Sequence, residues 1–229
     1  MNIEAGPASL LAQGMPEAPP QAQTVGEERA NAFSHAIAFL VVLALTPVLL
    51  LRAINQGDAV YVAGVGVFCA TAVFLYMASS VFHALPAGSG KRLFLTLDHA
   101  GIFLLIAGTY TPFTLGVLGG FWGWMLFGSV WTLAIAGVIL RVLGARMPEY
   151  ITTGIYLAMG WMVLLVIDLV IERIPPMGLT WLVAGGVAYT LGCFFFWLDW
   201  RVRYSHFVWH LFVMAGTACH GMAIYGYGA

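Results

Sequence analysis

Seven apolar stretches, each about as long as a hydrocarbon core is thick, run along the chain at roughly 33–52, 60–83, 93–117, 121–142, 151–171, 178–198 and 204–226. A water-soluble fold has no way to bury that many all-apolar segments. With 61% hydrophobic and only 8% charged residues, against roughly a quarter charged in ordinary soluble domains, the chain reads as all-α: a polytopic seven-transmembrane-helix bundle over 27–229. Residues 1–26, rich in Ala, Pro, Gln and Gly, read as a disordered cytoplasmic tail. The first 24 residues contain no Lys or Arg, so the basic start of a secretory signal peptide is missing. The connectors between spans are short and carry Gly, Pro or charge, and none has room for a second domain.

Because cytoplasmic loops retain Lys and Arg, their placement gives the orientation. Seven of the nine, Arg29, Lys91, Arg92, Arg141, Arg146, Arg201 and Arg203, fall in or beside the tail and the second, fourth and sixth connectors; Arg52 and Arg173 fall opposite. The N-terminus is expected in the cytoplasm and, after an odd number of spans, the C-terminus outside. That is the reverse of a G-protein-coupled receptor. The single lysine lies in a connector, so no span offers a Schiff-base lysine for retinal. A net charge of −1 without a basic stripe gives no footprint for nucleic acid. Cys69, Cys193 and Cys219 lie in apolar runs without CxxC spacing, which suggests packing or lipid contact rather than disulfides or thiolate ligands.

Ionisable side chains inside spans cost about 2.5–3.5 kcal/mol each near the centre on insertion scales and so call for a partner or a function. Five of the six histidines, His35, His83, His99, His206 and His210, are expected near the cytoplasmic side. His206 and His210, four residues apart, share one helix face and are spaced to hold one ion; equally, both are readable as interfacial histidines bonded to loop carbonyls. His83, ending the second span at matching depth, supplies the third nitrogen that a catalytic zinc site typically takes. Ser79, one turn from His83, either faces that site or bonds its own helix carbonyl. Asp98, entering the third span, either pairs with Lys91 or Arg92 or polarises a water at the metal. A heme fits less well, since its axial ligands approach from opposite faces. His35 is expected to cap or bridge the cytoplasmic mouth, and both His35 and His220 read as hydrogen-bonded structural histidines. His220 lies too far along the seventh span to share the ion. Asp168, Glu172 and Asp199 read as solvated carboxylates at span ends, and Gly108-Thr-Tyr-Thr-Pro112 as a kink.

Taken together, Glu28-Arg-Ala-Asn31 with Ser34-His35, Ser79-Ser-Val-Phe-His83, Leu97-Asp-His-Ala-Gly-Ile102, Gly108-Thr-Tyr-Thr-Pro112 and Ser205-His-Phe-Val-Trp-His210 resemble the hemolysin III branch of the progestin and adipoQ receptor family, related to the adiponectin receptors. The resemblance spans about residues 27–224. It implies a seven-helix bundle with an inside N-terminus that holds zinc through His83, His206 and His210, with Ser79 and Asp98 beside it. His99 stands where the adiponectin receptors have tyrosine, which fits the bacterial branch and an inner-membrane location. The function so implied is hydrolysis of a lipid amide or ester, in the manner of ceramidase-like relatives, by a zinc-bound water near the cytoplasmic face. Membrane lipids are the expected partners. The alternatives are a non-catalytic regulator of membrane homeostasis with a structural zinc, and a pore former.

Overall fold

The computed structural model describes residues 23–145 and 147–227. The expected tail lies outside them up to residue 22, and the first helix already begins at Val25, two residues before the expected boundary. Among the described residues the fold is entirely helical, and seven helical segments are long and apolar enough to cross a membrane.

The elements are α1 (Val25–Gln56), α2 (Ala59–Ala84), α3 (Ser89–Thr111) running on as a π-helix (Pro112–Leu118), α4 (Gly120–Val142), α5 (Glu149–Gly160), a 3-10 turn (Met162–Val166), α6 (Ile167–Arg173), α7 (Pro176–Trp197) and α8 (Ser205–Tyr227). The α5–α6 stretch makes up the fifth span and α8 the seventh. Spans two and three are the most enclosed; spans one, five and six turn most of their surface outward. Their exposed residues are mainly Leu, Val, Ile and aromatics, and Trp122, Trp124, Tyr150, Trp197, Trp200 and Tyr204, near the ends of several spans, are exposed as well. In lipid such a surface has nothing to gain by burial, so helices associate through close packing. Where α2 meets α3 that packing relies on small residues. Gly101 lies against Leu75, Gly108 against Thr71 and Gly64 against the Pro112 backbone, closer than any added Cβ would allow.

The motif Gly108-Thr-Tyr-Thr-Pro112 alters the third span as expected, though by a change of helix type. Pro112 has no N–H to donate, and the chain widens into the π-helix there. Hydroxyls take up nearby carbonyls: Thr111 donates to Ala107 O (2.8 Å) and Thr114 to Tyr110 O (3.0 Å). Gly119 and Gly120, both at φ +55°, then reverse the chain into α4 in a left-handed conformation that favours glycine.

The fifth span is interrupted where α5 ends at Gly160, a break that no adjacent Pro or charge marks. Tyr110 holds it. Its hydroxyl lies 2.6 Å from Gly160 O and 3.0 Å from Met159 O, and accepts from Val163 N at 3.1 Å. A broken helix inside a membrane survives where a neighbour supplies the missing hydrogen bonds.

Candidate metal centre

Three helix ends meet at one side of the bundle: the start of α1, the end of α2 and the start of α8. Thr24 caps α1, with Thr24 N donating to Glu27 Oε2 at 2.8 Å in a capping box. The other oxygen of Glu27 accepts from Tyr204 N at 2.8 Å. Tyr204 sits at φ +60°, an uncommon conformation for a residue with a side chain, directly before α8. Glu27 thus fixes how α8 begins, and His206 and His210 occupy its first turns.

The rings of His83, His206 and His210 form a triangle with centroids 5.0, 5.1 and 4.8 Å apart. One nitrogen from each lies within 4.8 Å of the others. What the remaining nitrogens do fixes the chemistry. His83 Nδ1 meets Glu28 Oε2 at 2.8 Å, and Lys91 holds the other Glu28 oxygen at 2.8 Å. His206 Nδ1 meets Asp199 Oδ2 at 2.9 Å, which also accepts from Gln23 at 3.1 Å. His210 Nδ1 lies 3.1 Å from Ser34 Oγ, whose own proton goes to Asn31 O at 2.8 Å. A carboxylate only accepts, and a hydroxyl that has spent its proton accepts too. Each Nδ1 therefore carries the hydrogen, and each Nε2 presents a lone pair.

All three Nε2 atoms are buried without a hydrogen-bond partner. Lone pairs abandoned this way cost about 1–3 kcal/mol each, and three converging ones make the donor set of a tetrahedral ion with its fourth position open. Zinc bonds of about 2.0–2.1 Å put ligand nitrogens about 3.3 Å apart, so ring movements of about 1 Å close the triangle. The residues fit a metal ion. Outer partners that donate or accept at the far ring nitrogen are what hold such ligands in tautomer and orientation.

The other sequence-predicted residues sort around this group. Ser79 is fully buried and its Oγ has no hydrogen-bond partner at good geometry, although the Asp98 carboxyl is its neighbour. Asp98 is buried and faces an apolar cavity. The alternative pairing with Lys91 is not what forms, because Lys91 binds Glu28. His35 departs from expectation. It does not bridge an open mouth and is not hydrogen-bonded: it is 1% exposed, stacks on His210 at 3.5 Å and 9°, and both of its nitrogens lack partners. Its ring is held between His210, on which it stacks, and Tyr76, which it meets edge-on. His99 stands apart with Arg141, Thr152 and Tyr156 around a small separate cavity. His220 bonds its own helix, as expected.

Asp199, expected as a solvated carboxylate at a span end, is instead the partner of His206. Seven residues before His206, across a turn whose shape the sequence does not specify, it carried no periodic signal. Glu28 and Ser34 lay within recognised motifs, but their pairing across helices needed the fold.

The sequence model of the family described as "Haemolysin-III related" matches residues 23–221, which takes in every element of this centre. The chain belongs to the haemolysin III family. It is 37% identical to Hemolysin-3 of Bacillus cereus over 196 residues, 86% of this chain and 89% of that one. With the Hemolysin-3 homolog of Bacillus subtilis (strain 168) the identity is 33%, covering 85% and 91%. With the Monocyte to macrophage differentiation factor of Homo sapiens it is 30% over 217 residues, covering 89% and 85%. The motif resemblance to the hemolysin III branch of the progestin and adipoQ receptor family therefore holds along nearly the whole chain. This haemolysin III protein is an integral, multi-pass membrane protein with a buried three-histidine group able to hold a metal ion.

Proposed function

We propose that this haemolysin III protein is a zinc-dependent hydrolase of lipid amides or esters, with its site toward the cytoplasmic face of a bacterial inner membrane and its N-terminus inside. The observation that carries the reading is the convergence of three unpartnered Nε2 atoms next to a buried carboxyl that opens onto an apolar cavity. His83, His206 and His210 would hold the ion, whose chemistry is to polarise a carbonyl and to acidify water. Asp98 takes the proton from the attacking water and passes it to the leaving amine or alcohol, so that water adds across the broken bond and a fatty acid departs. Ser79, whose buried hydroxyl lies beside Asp98 without a partner, donates to the reacting oxygen. The cavity, walled by Leu105, Ile106, Tyr110, Trp161 and Val213 among others, suits an acyl chain and keeps bulk water away.

The test offers purified protein in lipid nanodiscs a panel of ceramides and phospholipids and follows fatty-acid release. Zinc-loaded wild type should cleave at least one class, and Asp98→Ala should lose 100-fold or more, the order of a general base, while keeping its metal. Equal, slow release by both would overturn the hydrolase.

A second reading, a membrane regulator in which zinc only clamps helices, is favoured by one feature: the three ligands and their partners tie α1, α2 and α8 together. It expects His83→Ala to lower thermal stability and Asp98→Ala to change nothing. The pore suggested by the relatives' name finds less support, because the cavities are walled mainly by apolar side chains, unlike the polar lining of a conducting path.

A further inference from the structure

His220 lies about 15 Å along α8 from His210, ten residues at 1.5 Å each, well away from the metal group. It is 9% exposed. Its ring lies nearly parallel to that of Tyr189 (centroids 5.4 Å, 18°) and occupies space that exists because residue 185 is glycine: a Cβ there would collide with the ring. Nδ1 stands 2.8 Å from Gly216 O. A carbonyl only accepts, so in the neutral ring the proton is on Nδ1 and Nε2 is an acceptor.

Among the described residues no group donates to that Nε2, and His220 lines two adjoining cavities at the point where they share Thr109, Tyr110, Trp161 and Gly186. One cavity reaches back to Asp98 and His35; the other continues toward Leu118 and Ile174. The nearby hydroxyls have already committed their protons. Thr109 donates to Leu105 O (2.8 Å), Thr190 to Gly186 O (2.7 Å) and Tyr110 to the carbonyls at the α5 break. Tyr189 and Thr217 bond each other at 2.9 Å. His220 is thus an oriented acceptor that none of these neighbouring hydroxyls meets with a proton.

From this we infer that His220 is a second recognition point for the lipid chain, accepting a hydrogen bond from a hydroxyl carried partway down that chain. This rests on the proposed reading only in placing a carbonyl head at the histidine triad. An extended chain advances about 1.2 Å per bond, so the matching hydroxyl sits about twelve carbons from the head. The ligand class is a mid-chain hydroxylated acyl lipid. The apolar walls on both sides of His220 leave room for methylene groups before and after the hydroxyl.

The experiment measures saturable binding of radiolabelled 12-hydroxyoctadecanoic, 2-hydroxyoctadecanoic and octadecanoic acids to the full chain in nanodiscs, with empty nanodiscs subtracted. The wild type should bind the 12-hydroxy acid about five- to tenfold tighter than octadecanoic acid, the worth of one buried hydrogen bond. His220→Leu should abolish that preference without weakening octadecanoic acid, and His220→Gln, which retains an acceptor, should restore part of it. The effect of the 2-hydroxyl should be the same in wild type and His220→Leu. Equal affinities for the 12-hydroxy and unsubstituted acids in wild type, as a resident water at Nε2 would produce, overturn the inference. So does a preference that survives His220→Leu, or no saturable binding of any acid. Because binding is read without cleavage, a lost preference in a protein that still hydrolyses lipid counts against His220 alone, and a preserved preference in a protein that cleaves nothing counts against the hydrolase alone.

Discussion

The two ends of the helical bundle treat polar groups in opposite ways. At the end where α1 begins and α2 finishes, Asn31, His35, Ser79, His83, His206 and His210 account for seven of the eight buried side-chain polar atoms that lack a partner among the described residues. At the other end the polar groups are matched. Asp58 accepts from Tyr61 N at 2.8 Å, Tyr61 donates to Ile224 O at 2.8 Å, and Arg52 donates to Tyr225 O at 3.2 Å while lying over the Tyr225 ring. Both ends join span one or two to the seventh span, so joining helices does not require unpaired nitrogens. The difference teaches that the first end keeps donor atoms that could hold a ligand, whereas the second spends its polar groups on packing.

That contrast can be broken by substitution. The largest effect is expected from His83→Ala, which removes one of the three ligands. Bound metal present at ~1,000 times its dissociation constant stabilises a fold by about 4 kcal/mol. The variant should lose most of that, and a strong chelator should then leave its thermal unfolding unchanged while lowering that of wild type. A smaller effect is expected from Asp199→Asn, which keeps the ligand but weakens its outer support: zinc affinity, read by competition with a chromogenic chelator, should fall 10- to 100-fold. Glu28→Gln should act in the same direction, sharpened by the loss of the Lys91 ion pair. The smallest effect belongs to the far end. Tyr61→Phe gives up one buried hydrogen bond, about 1 kcal/mol, and should shift unfolding slightly with no change in metal content. A metal loss in Tyr61→Phe as large as that in Asp199→Asn would erase the distinction between the ends.

How much of this was legible beforehand depended on the length scale of the signal. Seven spans follow from apolar runs of membrane length, and connectors that carry Gly, Pro or charge mark the turns between them, as at Gly119 and Gly120 with their positive φ. The triad was legible as far as it is periodic: His206 and His210 share a face by spacing, and His83 matched them by depth. What spacing does not encode stayed hidden. Asp199 reaches His206 across an irregular turn, the unpartnered stacking of His35 on His210 depends on how α1 packs against α8, and the break after Gly160 is stabilised by Tyr110 from another helix. Each of these is a tertiary contact whose pairing no local spacing encodes.

The central claim, that the convergent Nε2 atoms belong to a zinc ion, is tested most directly by elemental analysis of full-length protein purified without added metal, alongside His210→Ala and Asp98→Ala. The account predicts close to one zinc per chain in wild type and in Asp98→Ala, and a small fraction of that in His210→Ala. Wild-type protein that carries no zinc and takes up none on titration, or zinc retained in full by His210→Ala, would contradict it.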